Sequence, residues 1–117
     1  MSDDLESLRR LVVHDPGSLL VAELDGEIVG TLIAAWDGWR GNLYRRAVLP
    51  EHRRRGFGRD LVRHAELELR RQGAIRVAAV VVEDHDPATG FWQAAGYERQ
   101  SLRLRFVKNF QPKKPGP

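Results

Sequence analysis

The segment from Val48 to Arg59, Val-Leu-Pro-Glu-His-Arg-Arg-Arg-Gly-Phe-Gly-Arg, constrains the fold more than any other part of the chain. It sets a strand end, a basic turn with two glycines and the start of an amphipathic helix in direct succession. A helix that starts on such a turn has amides without intrahelical acceptors and a partial positive charge, and glycines let a ligand approach its backbone closely. With Arg53, Arg54, Arg55 and Arg59 around Gly56, Phe57 and Gly58, the turn reads as a phosphate site. Two nucleotide-binding patterns are excluded. A dinucleotide fingerprint needs a third glycine where Leu61 stands, and a Walker loop needs Gly-Lys-Ser/Thr.

The elements around the turn follow from periodicity. Residues 3–13 predict a short helix with Asp3 and Glu6 as a capping box and Leu5, Leu8 and Val12 on one face. Ser18 to Leu24 and Glu27 to Ala35 predict a hairpin turning on Asp25-Gly26, and Asn42 to Leu49 predicts the next strand. The helix after the turn runs to Gln72, with Phe57, Leu61, Ala65 and Leu69 recurring every four residues and Gly73 as its C-terminal cap. Ile75 to Val82 predicts a strand buried on both faces, parallel to its neighbour because a helix makes the crossover. A short helix over 87–95 and a last strand from Tyr97 to Phe106 complete the chain. The fold class is therefore α+β, a mixed sheet with helices on its faces.

At 117 residues the chain suits one domain, over 1–110, followed by a disordered basic and proline-containing tail over 111–117. A hydrophobic fraction of 42% and a charged fraction of 30% are those of a globular protein, with no membrane-spanning run. The Met-Ser-Asp-Asp start lacks the features of a signal peptide, so a cytoplasmic location is the expectation. The absence of cysteine removes disulfides, thiolate metal sites and a cysteine nucleophile, and no metal is expected. Nineteen basic residues against sixteen acidic ones leave a net charge of only +3. A local phosphate site accounts for the arginines of the turn more economically than a nucleic-acid face.

Taken with the strand before it, the Arg-x-x-Gly-x-Gly turn resembles the pyrophosphate loop of the GNAT-type N-acetyltransferases, which follows a strand ending in Val-x-Pro, here Val48-Leu49-Pro50. A second family signature is matched in its frame by His85-Asp86-Pro87-Ala88-Thr89-Gly90-Phe91-Trp92-Gln93-Ala94-Ala95-Gly96-Tyr97. The resemblance runs from about residue 18 to the last strand, and only about seventeen residues precede the hairpin, fewer than in the family. It implies acetyl-CoA as cofactor and transfer of acetyl to a primary amine of a small molecule or protein. The backbone of Arg54 to Arg59, with Arg53 and Arg59 side chains, would hold the pyrophosphate. Val48 and Leu49 would pair with the pantetheine arm, the Val48 N–H polarising the thioester carbonyl. His85 replaces an asparagine that contacts pantetheine, and Phe91 would border the cofactor.

Trp92 stands where many members carry the tyrosine that protonates the leaving thiolate, and an indole N–H is no acid near neutral pH. Tyr97, Tyr44 or solvent are the substitutes. The candidates for the base are Glu83 and Asp84 at the end of the buried strand, His85, and Asp37 in the loop, with Glu83 the carboxylate expected to act. Trp36, Asp37, Trp39 and Tyr44 are polar-tipped groups expected to line the acceptor pocket, or else to cover the core or a dimer contact. A homodimer is expected, with edge strands seeking cover. The alternatives are an acyl-CoA-binding module without catalysis and a tRNA-directed acetyltransferase.

Overall fold

The computed structural model describes residues 5–81, 86–100 and 104–110. Helix α1 (Leu5–His14) precedes a hairpin of β1 (Leu19–Leu24) and β2 (Glu27–Trp36). Strand β3 (Gly41–Val48), a 3-10 turn (Pro50–His52), α2 (Phe57–Gln72), β4 (Val77–Val80) and α3 (Asp86–Ala94) follow. The sheet order is β1-β2-β3-β4. The first two pairings are antiparallel and the last is parallel, as the α2 crossover requires. Asp25 and Gly26 both take positive φ, 51° and 81°, the turn whose twist suits a two-residue hairpin.

Helix α2 lies across the sheet and makes the core with it. Leu61, Val62, Ala65 and Leu69 from α2 meet Leu32 of β2, Leu43 of β3 and Trp92 of α3. Leu32 and Leu43 are fully buried. The four-residue recurrence in the sequence is thus the buried stripe of α2. The helix stops at Gly73, whose φ of 116° lets its N–H reach the Arg70 carbonyl at 3.0 Å.

A bulge in β3 decides which side chains reach α2. Gly41 faces that helix, since a side chain there would meet Leu69, and Leu43 sits in the core. Strict alternation would next turn Arg45 inward and Arg46 outward. Arg45 instead adopts φ 56°, and the register with β2 slips by one residue between Thr31↔Ala47 and Ile33↔Tyr44. The slip turns Arg46 and Val48 toward α2 and leaves Arg45 exposed.

Two expectations are corrected. The strand after α2 is shorter than Ile75 to Val82 and is not buried on both faces: Ile75 is 99% exposed and none of Val77–Val80 is fully buried. Among the described residues it is the edge of the sheet, with one flank and part of each face open. The last strand is also not formed over the described residues from Tyr97 to Phe106. Leu104 and Phe106 are 82% and 89% exposed, and alternation alone does not make a strand without a partner edge. Asp3 of the capping box and the tail over 111–117 lie outside the described residues.

Candidate active site

The site forms where β3 outruns its parallel neighbour. The β3–β4 register ends at Tyr44↔Val80, while β3 continues to Val48. Beyond Tyr44 the β3 edge has no partner strand among the described residues. On the other edge, the Leu49 N–H donates to the Val29 carbonyl at 2.9 Å. Backbone groups alternate sides along an antiparallel ladder, so the Val48 N–H and carbonyl point away from β2, into the opened side. The two residues expected to act together therefore differ. Val48 presents its backbone to the opening, whereas the Leu49 N–H is used by β2 and its carbonyl accepts the His52 N–H at 2.9 Å.

The Arg53–Arg59 turn closes this opening from the helix side. Arg54 and Gly56 take positive φ, 63° and 89°, and Gly56 is the N-cap of α2. No side chain caps this end. The helical ladder begins with the Asp60 N–H donating to the Gly56 carbonyl at 2.9 Å, so the amides of Phe57, Gly58 and Arg59 have no intrahelical acceptor. Arg53 Nε donates to the Val48 carbonyl at 3.2 Å and ties the turn to the opened strand edge. Arg55 contacts His52 Nδ1 at 3.0 Å and lies 5.7 Å from the Phe57 ring centroid, while Arg59 lies beside Gly56.

Gly58 is the tightest point. A Cβ there would stand 3.1 Å from Nη1 of Arg46 and 3.2 Å from the Phe91 ring. The Arg46 guanidinium lies 3.8 Å over that ring. Its burial, and secondarily the charge of Arg53, hold its pKa below the usual guanidinium range. Phe91 thus borders the turn. Arg46 does so too, and no signal in the sequence marks it: period two points it outward, and only the bulge at Arg45 turns it in.

Other expected groups lie elsewhere. The Tyr97 hydroxyl donates to Glu66 Oε2 at 2.6 Å, and burial, reinforced by this bond and the carboxylate charge, pushes the phenol pKa upward. Glu66 is two helical turns beyond Gly58, roughly 12 Å along the axis. Tyr97 packs on Trp92 with centroids 5.0 Å apart, and Trp92 is buried in the core. Tyr97 therefore faces α2 rather than the turn. Trp36 packs on the core near Gly73, and its β3 partner is Gly41, at the opposite end of that strand from Val48. At ~3.3 Å per residue this separates Trp36 and Asp37 from Val48 by roughly 20 Å.

The Asp37 carboxylate accepts the Arg40 and Trp39 N–H groups at 2.6 and 2.7 Å, which hold its pKa low and fix the loop. Tyr44 stands at the last position of β3 that pairs with β4, on the face opposite α2. Glu83, Asp84 and His85 lie outside the described residues. A cavity of about 1320 Å³ opens on the far side of β4, between Glu66, Val77, Trp92, Tyr97 and Arg99. It lies where a fifth strand was expected, away from the turn. Among the described residues there is no metal-binding cluster, and no helix is long and apolar enough to cross a membrane.

Both the sequence and the fold are similar to those of known proteins. The sequence profile of the Acetyltransferase (GNAT) family matches residues 2–97. An acetyltransferase of Yersinia pestis (strain Pestoides F) is 36% identical over 99 residues, covering 85% of this chain and 70% of the relative. A GNAT family acetyltransferase of Streptococcus pneumoniae superimposes with a TM-score of 0.77 at 21% identity, over 92% of this chain and 82% of that one. An aminoglycoside 6'-N-acetyltransferase of Acinetobacter haemolyticus gives 0.74 at 22% identity, over 95% and 86%. An aminoglycoside N-acetyltransferase in complex with CoA gives 0.68 at 20% identity, over 89% of each chain. The chain belongs to the GNAT acetyltransferase family and is an acyltransferase.

Proposed function

We propose that the protein transfers acetyl from acetyl-CoA to a primary amine, and that the Arg53–Arg59 turn with the opened edge of β3 is its cofactor site. The observation that carries this reading is the meeting of two sets of unused backbone donors. These are the amides of Phe57, Gly58 and Arg59 at the start of α2 and the Val48 N–H on the opened edge, tied together by Arg53. The donor chemistry fits the group: free amides and arginines suit a pyrophosphate, and a strand edge suits the amides of a pantetheine arm. A side chain on Gly58 would fill the cradle.

When bound, acetyl-CoA supplies an acetyl group activated as a thioester. The Val48 N–H would donate to its carbonyl, a preorganised dipole at the place where charge develops. Tyr44, at the position where the strands part, would meet the acceptor on the face opposite α2. Glu83 is assigned the amine proton and His85 a contact to pantetheine. Trp36 and Asp37 support the loop instead. Tyr97 is assigned to packing, because its proton is committed to Glu66. Water would supply the proton that the leaving sulfur requires.

The same reading includes a cytoplasmic location and a homodimer, the dimer supported by the outer edge of β4, unpaired among the described residues, and by exposed Leu104, Phe106, Val107 and Phe110. Free-thiol release is the test, with acetyl-CoA and a panel of polyamines, aminoglycosides and peptide amines. Turnover above hydrolysis with one class is expected, with kcat falling at least tenfold in Glu83→Gln. Tight CoA binding without thiol release across the panel would contradict transfer to an amine.

A further inference from the structure

Arg46 is outside the Arg53–Arg59 motif, yet the bulge at Arg45 delivers its guanidinium to the same place. The group is half buried, stacked on Phe91, and 3.1 Å from the position a Gly58 side chain would take. No carboxylate among the described residues pairs with it. Among the described residues, the charge that acts on it is a second guanidinium, that of Arg53, which in turn holds the Val48 carbonyl. Two like charges, one of them desolvated, are unfavourable together unless an anion joins them. A ring face offers a cation only weak compensation. The Gly58 amide, attached to the same Cα as that side-chain position, is free of an intrahelical acceptor.

We infer that Arg46 is a cofactor-selecting residue: with Arg53 it clamps the phosphate-bearing half of CoA from the strand side, so that the site distinguishes CoA from bare pantetheine. The inference rests on the cofactor site proposed above. Arg46 holds charge toward the phosphates while Phe91 fixes the plane of its guanidinium, an orientation that a lysine ammonium does not reproduce. The bulge is the device that makes this possible, because a regular β3 would point Arg46 to the opposite face.

The test compares CoA and pantetheine as ligands of the full chain. CoA affinity is measured by titration calorimetry at several salt concentrations, and pantetheine by its inhibition of acetyl-CoA turnover. In Arg46→Met, which keeps an unbranched apolar chain over Phe91, CoA should bind about tenfold more weakly with a flatter salt dependence, while pantetheine inhibition stays within about twofold. Absence of pantetheine inhibition in both proteins would agree with recognition through the phosphates, provided the loss of CoA affinity is seen. Arg46→Lys should recover only part of that affinity, and it replaces Arg46→Met in the comparison if the latter does not fold. CoA affinity within about twofold of wild type in the variant, or an equal loss for pantetheine, would overturn the inference. Failure of the wild-type protein to bind CoA would instead remove the cofactor site itself, and this inference with it.

Discussion

Single residues differ in what they contribute at the turn. Gly58 is required for space: a methyl group there meets both the Phe91 ring and the Arg46 guanidinium, and the ring is the less able to move. Gly58→Ala is expected to weaken CoA binding at least tenfold by calorimetry. Gly56 is required for its backbone, since φ 89° is the left-handed region and nothing crowds it closer than Arg59 at 3.7 Å. Gly56→Ala should therefore cost about 1–2 kcal/mol of stability in denaturant unfolding. Tyr97 contributes to packing. Burial, reinforced by its hydrogen bond to Glu66, raises the phenol pKa, so this contribution is complete below the ordinary tyrosine pKa near 10 and is lost as pH rises through the folded value. Tyr97→Phe should reduce stability by about 1 kcal/mol near neutral pH, lose the alkaline part of the wild-type pH dependence, and keep kcat within about threefold. A kcat collapse in that variant would restore Tyr97 as the acid.

Among the elements, α2 connects stability to function, because its buried stripe fixes the helix whose N-terminus forms the site. Leu69, 1% exposed in the core with Leu43 and Leu32, illustrates the first role. Leu69→Ala should cost about 2–5 kcal/mol in chemical denaturation, with no contact to the turn lost. Much of this was legible in the sequence. The four-residue stripe, Gly73, the Asp25-Gly26 hairpin and the glycine turn are local patterns, each set by a few neighbouring side chains. Two elements were not legible, because their state depends on distant partners. The apolar run after α2 reads as a buried strand, yet β4 lies at the sheet edge, and alternation over Leu104 and Phe106 creates no strand without an edge to join. The bulge at Arg45 was hidden for a related reason: Tyr-Arg-Arg-Ala carries no glycine or other marker, and the slip arises from the pairing with β2.

At the scale of the molecule, the fold brings together segments that are remote in sequence: the end of β3, the start of α2 and Phe91 of α3. It separates others that composition groups together, since the aromatic loop after β2 sits at the far end of the sheet from Val48. Spacing along a strand or helix foretold the turn, but it did not foretell which aromatics would face it. The molecule also offers a second concavity, the cavity beyond β4, which competes with the turn as the place where a ligand binds. Titration of the isotopically labelled protein with CoA, followed through its backbone amide resonances, decides between them. The largest shifts are predicted at Arg46, Val48 and Arg54 to Arg59. Shifts confined to Val77, Trp92, Tyr97 and Arg99 around the cavity, or none at saturating CoA, would contradict the account.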